Sequence, residues 1–239
     1  FSLAKSVVPC ISIWSILEIR KKKGLYEEFL DFFSVFPFFM TQSPMFVFED
    51  EIKKYPDCSV VEPLLMAFSP LEENQDAQLS NFLEKLFAHP EVIDSERNWN
   101  GEWADKALQS MLLLKSNFYP KGQYYSASDA RRFLREGVPQ YVISQAPKWV
   151  KRKIIDAKQE LDINAFPSVK TAFYTVFYRF YAEQRKPERQ DVFDILISSI
   201  APYMDIVIVE KFQAEIFKKV KRKDEMFKKL EIATLKDFR

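Results

Sequence analysis

Asp191, Asp194 and Glu210 are the side chains of this 239-residue chain whose types and spacing best suit chemistry. Asp191 and Asp194 are three residues apart and share one face of any helix that contains them. Pro187 sets the start of such a helix near Arg189 or Gln190, and Pro202 sets its end. The run Ile206-Val207-Ile208-Val209 then predicts a strand covered on both faces, as in a parallel sheet, with Glu210 closing it. In a helix-then-parallel-strand unit the start of the helix lies near the end of the strand. The three acids should therefore meet at one sheet edge, where open α/β sheets carry their sites. Asp205 falls at the other end, roughly 13–17 Å from Glu210 at about 3.3 Å per residue. Clustered carboxylates hold a hard cation such as Mg²⁺ or Mn²⁺ through oxygen. Two such ions can activate water and stabilise the leaving oxygen of a phosphodiester. The plainer alternative is that Asp191 and Asp194 serve a helix N-terminus and that Glu210 is a surface acid.

The elements needed to position these acids are visible in the pattern. Val7 to Ile11 reads as a short buried strand, and Ser12 as the N-cap of a helix over Ile13 to Lys21. Glu18 lies among that helix's apolar residues, either as a snorkelling surface group or as a site residue. Leu25 to Phe33 predicts an amphipathic helix, Phe36 to Met40 a strand, and Met45 to Lys54 a helix with Glu49 and Glu51 near its middle. That order argues for an α/β fold. Between Pro56 and Pro167 helical patterns dominate, over Gln78–Ala88, Glu102–Asn117, Ser128–Gly137 and Lys148–Leu161. Ser126 or Ser128 would cap the third and Gly137 would end it. The expectation is one domain: a parallel sheet core from about 1–55 and 168–239, interrupted by a helical insertion over about 56–167. Val169 to Ala182 carries a wide apolar stripe suited to core packing. A basic helix over Ala214 to Lys223 and a last strand over Leu230 to Leu235 follow.

Bulk properties exclude several classes. With 47% hydrophobic and 15% aromatic residues the chain can bury a core, so a disordered chain is excluded. A net charge of +1 gives no global pull toward nucleic acid, and any such surface must be a local patch. Two cysteines, Cys10 and Cys58, and one histidine, His89, make neither a disulfide framework nor a zinc site. Gly-rich phosphate loops and Gly-x-Ser-x-Gly are absent. The lack of a disulfide framework makes the cytoplasm the expected setting. No apolar run reaches transmembrane length, so no membrane role is expected. The chain opens on Phe1-Ser2-Leu3 without a methionine or a signal-peptide pattern.

These pieces together resemble the PIN-domain metal-dependent ribonucleases. That family shows a strand ending in Ser with a Glu six residues later, as Ser12 and Glu18 stand here. It shows an Asp opening a late helix, as Asp191 does with Asp194 beside it. It shows an apolar strand followed by an acid, as in Val207-Ile208-Val209-Glu210-Lys211-Phe212. The likeness spans roughly the first 55 and last 70 residues. It implies a PIN-like central parallel sheet, Mg²⁺ or Mn²⁺ held by Glu18, Asp191, Asp194 and Glu210, and endonucleolytic cleavage of RNA, as in a toxin or defence effector. The family's first catalytic Asp has no counterpart in Phe1 to Val8: its strand lies upstream of Phe1, or this copy is degenerate. A degenerate copy would be a protein- or RNA-binding module. Basic residues near aromatics would meet a phosphate backbone: Arg131, Arg132 and Arg135, then Lys148, Trp149, Lys151, Arg152 and Lys153, and Lys218 to Lys223. A protein partner or a homo-oligomer is left open. On this reading Asp191→Asn abolishes cleavage and leaves the thermal midpoint unchanged or raised, because like charges repel.

Overall fold

The computed structural model describes residues 7–57, 59, 61–69, 75–98, 101–102, 104–110, 125–156 and 160–238. In chain order the elements are β1 (Cys10–Ser12), α1 (Ile13–Arg20), α2 (Lys23–Ser34), β2 (Phe38–Thr41), α3 (Pro44–Lys54), β3 (Leu64–Phe68), α4 (Gln75–Phe87) and α5 (Pro90–Asn98). A helical stretch over 104–110, α6, follows. Then come α7 (Ala127–Gln145), α8 (Lys148–Asp156), α9 (Pro167–Val176), α10 (Arg189–Ser199), β4 (Ile206–Ile208), α11 (Lys211–Lys221) and β5 (Glu231–Ala233). The class is mixed α/β and mostly helical. The chain gathers into two compact units, one of residues 1–43 and 62–104, the other of 44–61 and 105–239.

The first unit holds a three-stranded sheet ordered β1-β2-β3. β1 and β2 are parallel, pairing Ile11 with Met40, and β3 runs antiparallel to β2. Ser12 starts α1 as read from the sequence, its hydroxyl accepting from the Trp14 N–H at 3.2 Å. Ile13, Trp14, Ile16 and Leu17 bury the helix, and the Trp14 indole donates to Ser43. Phe38 on β2 collects Phe29 and Phe33 from α2 and Phe68 from β3. Leu79, Leu83 and Phe87 of α4 are buried.

In the second unit β4 and β5 form a parallel pair of their own, with Val207 opposite Ile232. The single central parallel sheet expected from the sequence is therefore not formed among the described residues. The free edge of β2 is taken by the antiparallel β3, in a stretch that reads as helical insertion. The β4 residues are only half-buried, with Ile208 50% exposed, so the β-branched run is not covered on both faces.

The core of the second unit is α9, which packs against α3, α7, α10 and α11. It continues into a wider π turn over Phe177–Ala182. Nearly every residue from Pro167 to Tyr181 is buried, and most of the polar side chains among them are paired internally. Lys170 meets Asp224 at 2.7 Å and Asn164 at 2.6 Å, and Tyr174 donates to the same aspartate. Thr175 accepts from Gln213. The first two free N–H groups of α9, on Ser168 and Val169, donate to the carboxylate of Glu51.

Helix α7 departs from the sequence expectation. Ser126 caps it, with Asp129 donating and receiving the reciprocal bonds of a capping box. Gly137 does not end it, and the helix runs on through Pro139 to Gln145. A Cβ at Gly137 would stand 2.5 Å from the Phe173 ring, so the glycine serves close approach of α7 to α9 rather than a helix stop.

Candidate functional site

Helix α10 begins as Pro187 and the acids predict. The Glu188 N–H donates to Asp191 Oδ2 at 2.8 Å, so Asp191 closes the first turn. Its other oxygen, Oδ1, accepts from Arg179 Nη1 at 2.8 Å and lies 3.1 Å from Arg185 Nη2. Asp191 is wholly buried, and Arg179 is 3% exposed. The same Nη1 donates to Asp194 at 3.1 Å, with Asp194 37% exposed. Nη2 of Arg179 donates to Gln213, and its guanidinium stands 5.6 Å from the Phe212 ring. Arg179 thus ties the first turns of α10 and α11 to the π turn after α9.

The predicted acids are distributed as follows. Asp191 and Asp194 do share one centre. Glu210 is exposed and directly precedes α11, whose Phe212 and Gln213 reach Arg179. Glu18 belongs to the first unit, where it is half-exposed and 3.7 Å from Lys21. A surface pair of that kind contributes little to stability. Among the described residues, no group of three or more His, Cys, Asp or Glu side chains is placed to share a metal ion.

The donor set also fails on charge. Asp191 spends both oxygens on three donors, and the Arg179 and Arg185 guanidiniums balance Asp191 and Asp194 one for one. A divalent ion takes anionic oxygen with lone pairs to spare, and here a guanidinium already occupies the space between the carboxylates. As arranged, these residues do not fit Mg²⁺ or Mn²⁺.

Arg179, Arg185 and Gln213 are the partners that sequence reasoning missed. One signal for Arg179 was present. It follows Val176 by three and falls on the apolar face of the Val169–Ala182 stripe, where an unpaired charge would be costly.

A second surface lies on α7 and α8. Arg131 and Arg135 are exposed, and Arg132 is exposed but 3.6 Å from Asp129. About 15–21 Å of helix separates these three from the start of α8. On α8, Lys148, Arg152 and Lys153 are exposed and Lys151 is half-buried. Trp149 is 51% exposed, with the Lys153 ammonium 5.6 Å from its ring centre. Among the described residues none of these four cations has an acidic partner. The basic run on α11 differs: Lys218 pairs with Glu215, Lys219 with Glu183, and Lys221 donates to the Leu230 carbonyl. Those three lysines are engaged locally, while Arg222 and Lys223 after them are exposed.

No helix among the described residues is long and apolar enough to cross a membrane. Comparison with protein-family models, curated proteins and solved structures finds no match for this chain.

Proposed function

We propose that this chain is a non-catalytic RNA-binding module, holding single-stranded RNA across α8. The observation that carries the reading is Trp149, a large ring left half in water on a helix bearing Lys148, Lys151, Arg152 and Lys153. Aromatic rings exposed among cations supply the two terms of single-strand binding, base stacking and phosphate neutralisation. The inner side of α8 is already used, since Val150 is buried at 1%. An interfacial membrane helix would need that apolar face free. The non-catalytic part of the reading rests on the charge balance around Arg179.

The test is fluorescence anisotropy with a labelled single-stranded oligoribonucleotide over a series of salt concentrations. Trp149→Ala is expected to weaken binding by about 1–3 kcal/mol, roughly 5- to 150-fold. Lys148→Ala and Arg152→Ala should each flatten the slope of log K against log salt by about 0.7. Lys218→Ala and Lys219→Ala, whose partners are intramolecular, should leave the slope unchanged. Binding indifferent to Trp149→Ala would sink the reading. Mn²⁺-dependent cleavage of the oligonucleotide that disappears in Asp194→Asn would reinstate the metal-dependent endoribonuclease.

A further inference from the structure

We infer that Arg179 is the resident cation of the carboxylate centre: its side chain holds the two carboxylates together as a bound cation would, and it makes the fold independent of metal. Three features carry this. First, Arg179 Nη1 lies 2.8 Å from Asp191 and 3.1 Å from Asp194, so the two carboxylate oxygens can be no more than about 5.9 Å apart, with the positive charge between them. Second, Arg179 Nε is buried and has no hydrogen-bond acceptor among the described residues. That unmet donor is a cost, offset by the charge-assisted bonds to Asp191 and Asp194. Third, its reach is that of a bridging ion. It joins Asp191 and Asp194 on α10 to Gln213 on α11, and Gln213 passes the link on to Thr175 in α9. Arg185 supplies a second positive group from outside, at 43% exposure, so the two acids carry no net negative charge to attract another cation.

Two measurements test this on the whole chain. The first is Mn²⁺ binding by the wild type, read from the loss of the free-ion electron paramagnetic resonance signal. No loss is expected at millimolar Mn²⁺. Bound Mn²⁺ that is released in Asp191→Asn or Asp194→Asn would overturn the inference. The second is the thermal midpoint of wild type and Arg179→Gln in Mn²⁺ against chelator. The wild-type midpoint should not move. Arg179→Gln should melt lower in chelator and regain part of the loss in Mn²⁺, with no recovery in Arg179→Gln/Asp194→Asn. An Arg179→Gln midpoint equal to that of the wild type would show that the cation is dispensable, and would also overturn the inference. If Arg179→Gln does not fold, the wild-type resonance experiment decides alone.

Discussion

Asp191→Asn is expected to lower the unfolding free energy by about 3–5 kcal/mol, the range for removing one partner of a buried ion pair. For a chain of this size that corresponds to a midpoint lower by roughly 6–20 °C. Among the described residues, the three groups that contact the Asp191 carboxylate oxygens are all donors: Arg179 Nη1, Arg185 Nη2 and the Glu188 N–H. A carboxylate accepts from all of them, whereas an amide must turn an NH₂ toward at least one. Asn also leaves the buried Arg179 with only the part-exposed Asp194 as its carboxylate partner. The sequence alone suggests the opposite sign, because two aspartates read without their arginine look like repelling like charges. Circular dichroism melts of wild type, Asp191→Asn and Asp194→Asn decide between them. The order of midpoints should be wild type, then Asp194→Asn, then Asp191→Asn. An unchanged or raised midpoint for Asp191→Asn would mean that Arg179 does not hold it in solution.

Elements governed by local signals were legible in the sequence. Ser12 as a cap, the start of α10 just after Pro187, and the presence of strands at β4 and β5 all follow from residues within one turn or one strand of the feature. Features set by distant contacts were not. β3 is Leu64-Leu65-Met66-Ala67-Phe68, apolar at every position, so the alternation of its two faces is invisible until β2 defines which is inner. Gly137 looks like a helix stop, but the packing of α7 on Phe173 overrides local propensity. The acids of α10 were legible as a pair; their neutralisation by Arg179 was not, because an arginine in an aromatic stripe does not name its partner. Glu51 shows the same limit, since its hydrogen-bond partners Ser168 and Tyr203 lie 117 and 152 residues away.

Glu51 gives the second large expected effect, a loss of stability as pH rises through neutrality. It sits on α3, three and four residues from the buried Phe48 and Val47, and has no solvent exposure. Burial pushes its carboxyl up to about 7, against the opposing pull of the Ser168 and Val169 N–H groups and the Tyr203 hydroxyl. Tyr141 is the other titratable group facing it, itself raised to about 12 by burial and by the Glu51 charge. In the unfolded chain a glutamate titrates near 4.3. Between those two values the folded state binds more protons than the unfolded one, so stability falls with rising pH. The contribution is fully present below about 4.3 and lost as pH climbs through about 7, an amount on the order of 4 kcal/mol at 1.36 kcal/mol per unit. Glu51→Gln cannot titrate and keeps an oxygen for the α9 N–H groups. The difference in unfolding free energy between this variant and wild type, measured by urea titration from pH 4.5 to 8, should therefore grow by about 3 kcal/mol in favour of the variant. A difference that stays flat would mean that Glu51 is ionised in the folded protein throughout. The start of α9 and the Tyr203 hydroxyl would then outweigh desolvation, and Glu51 would act as a fixed anionic cap.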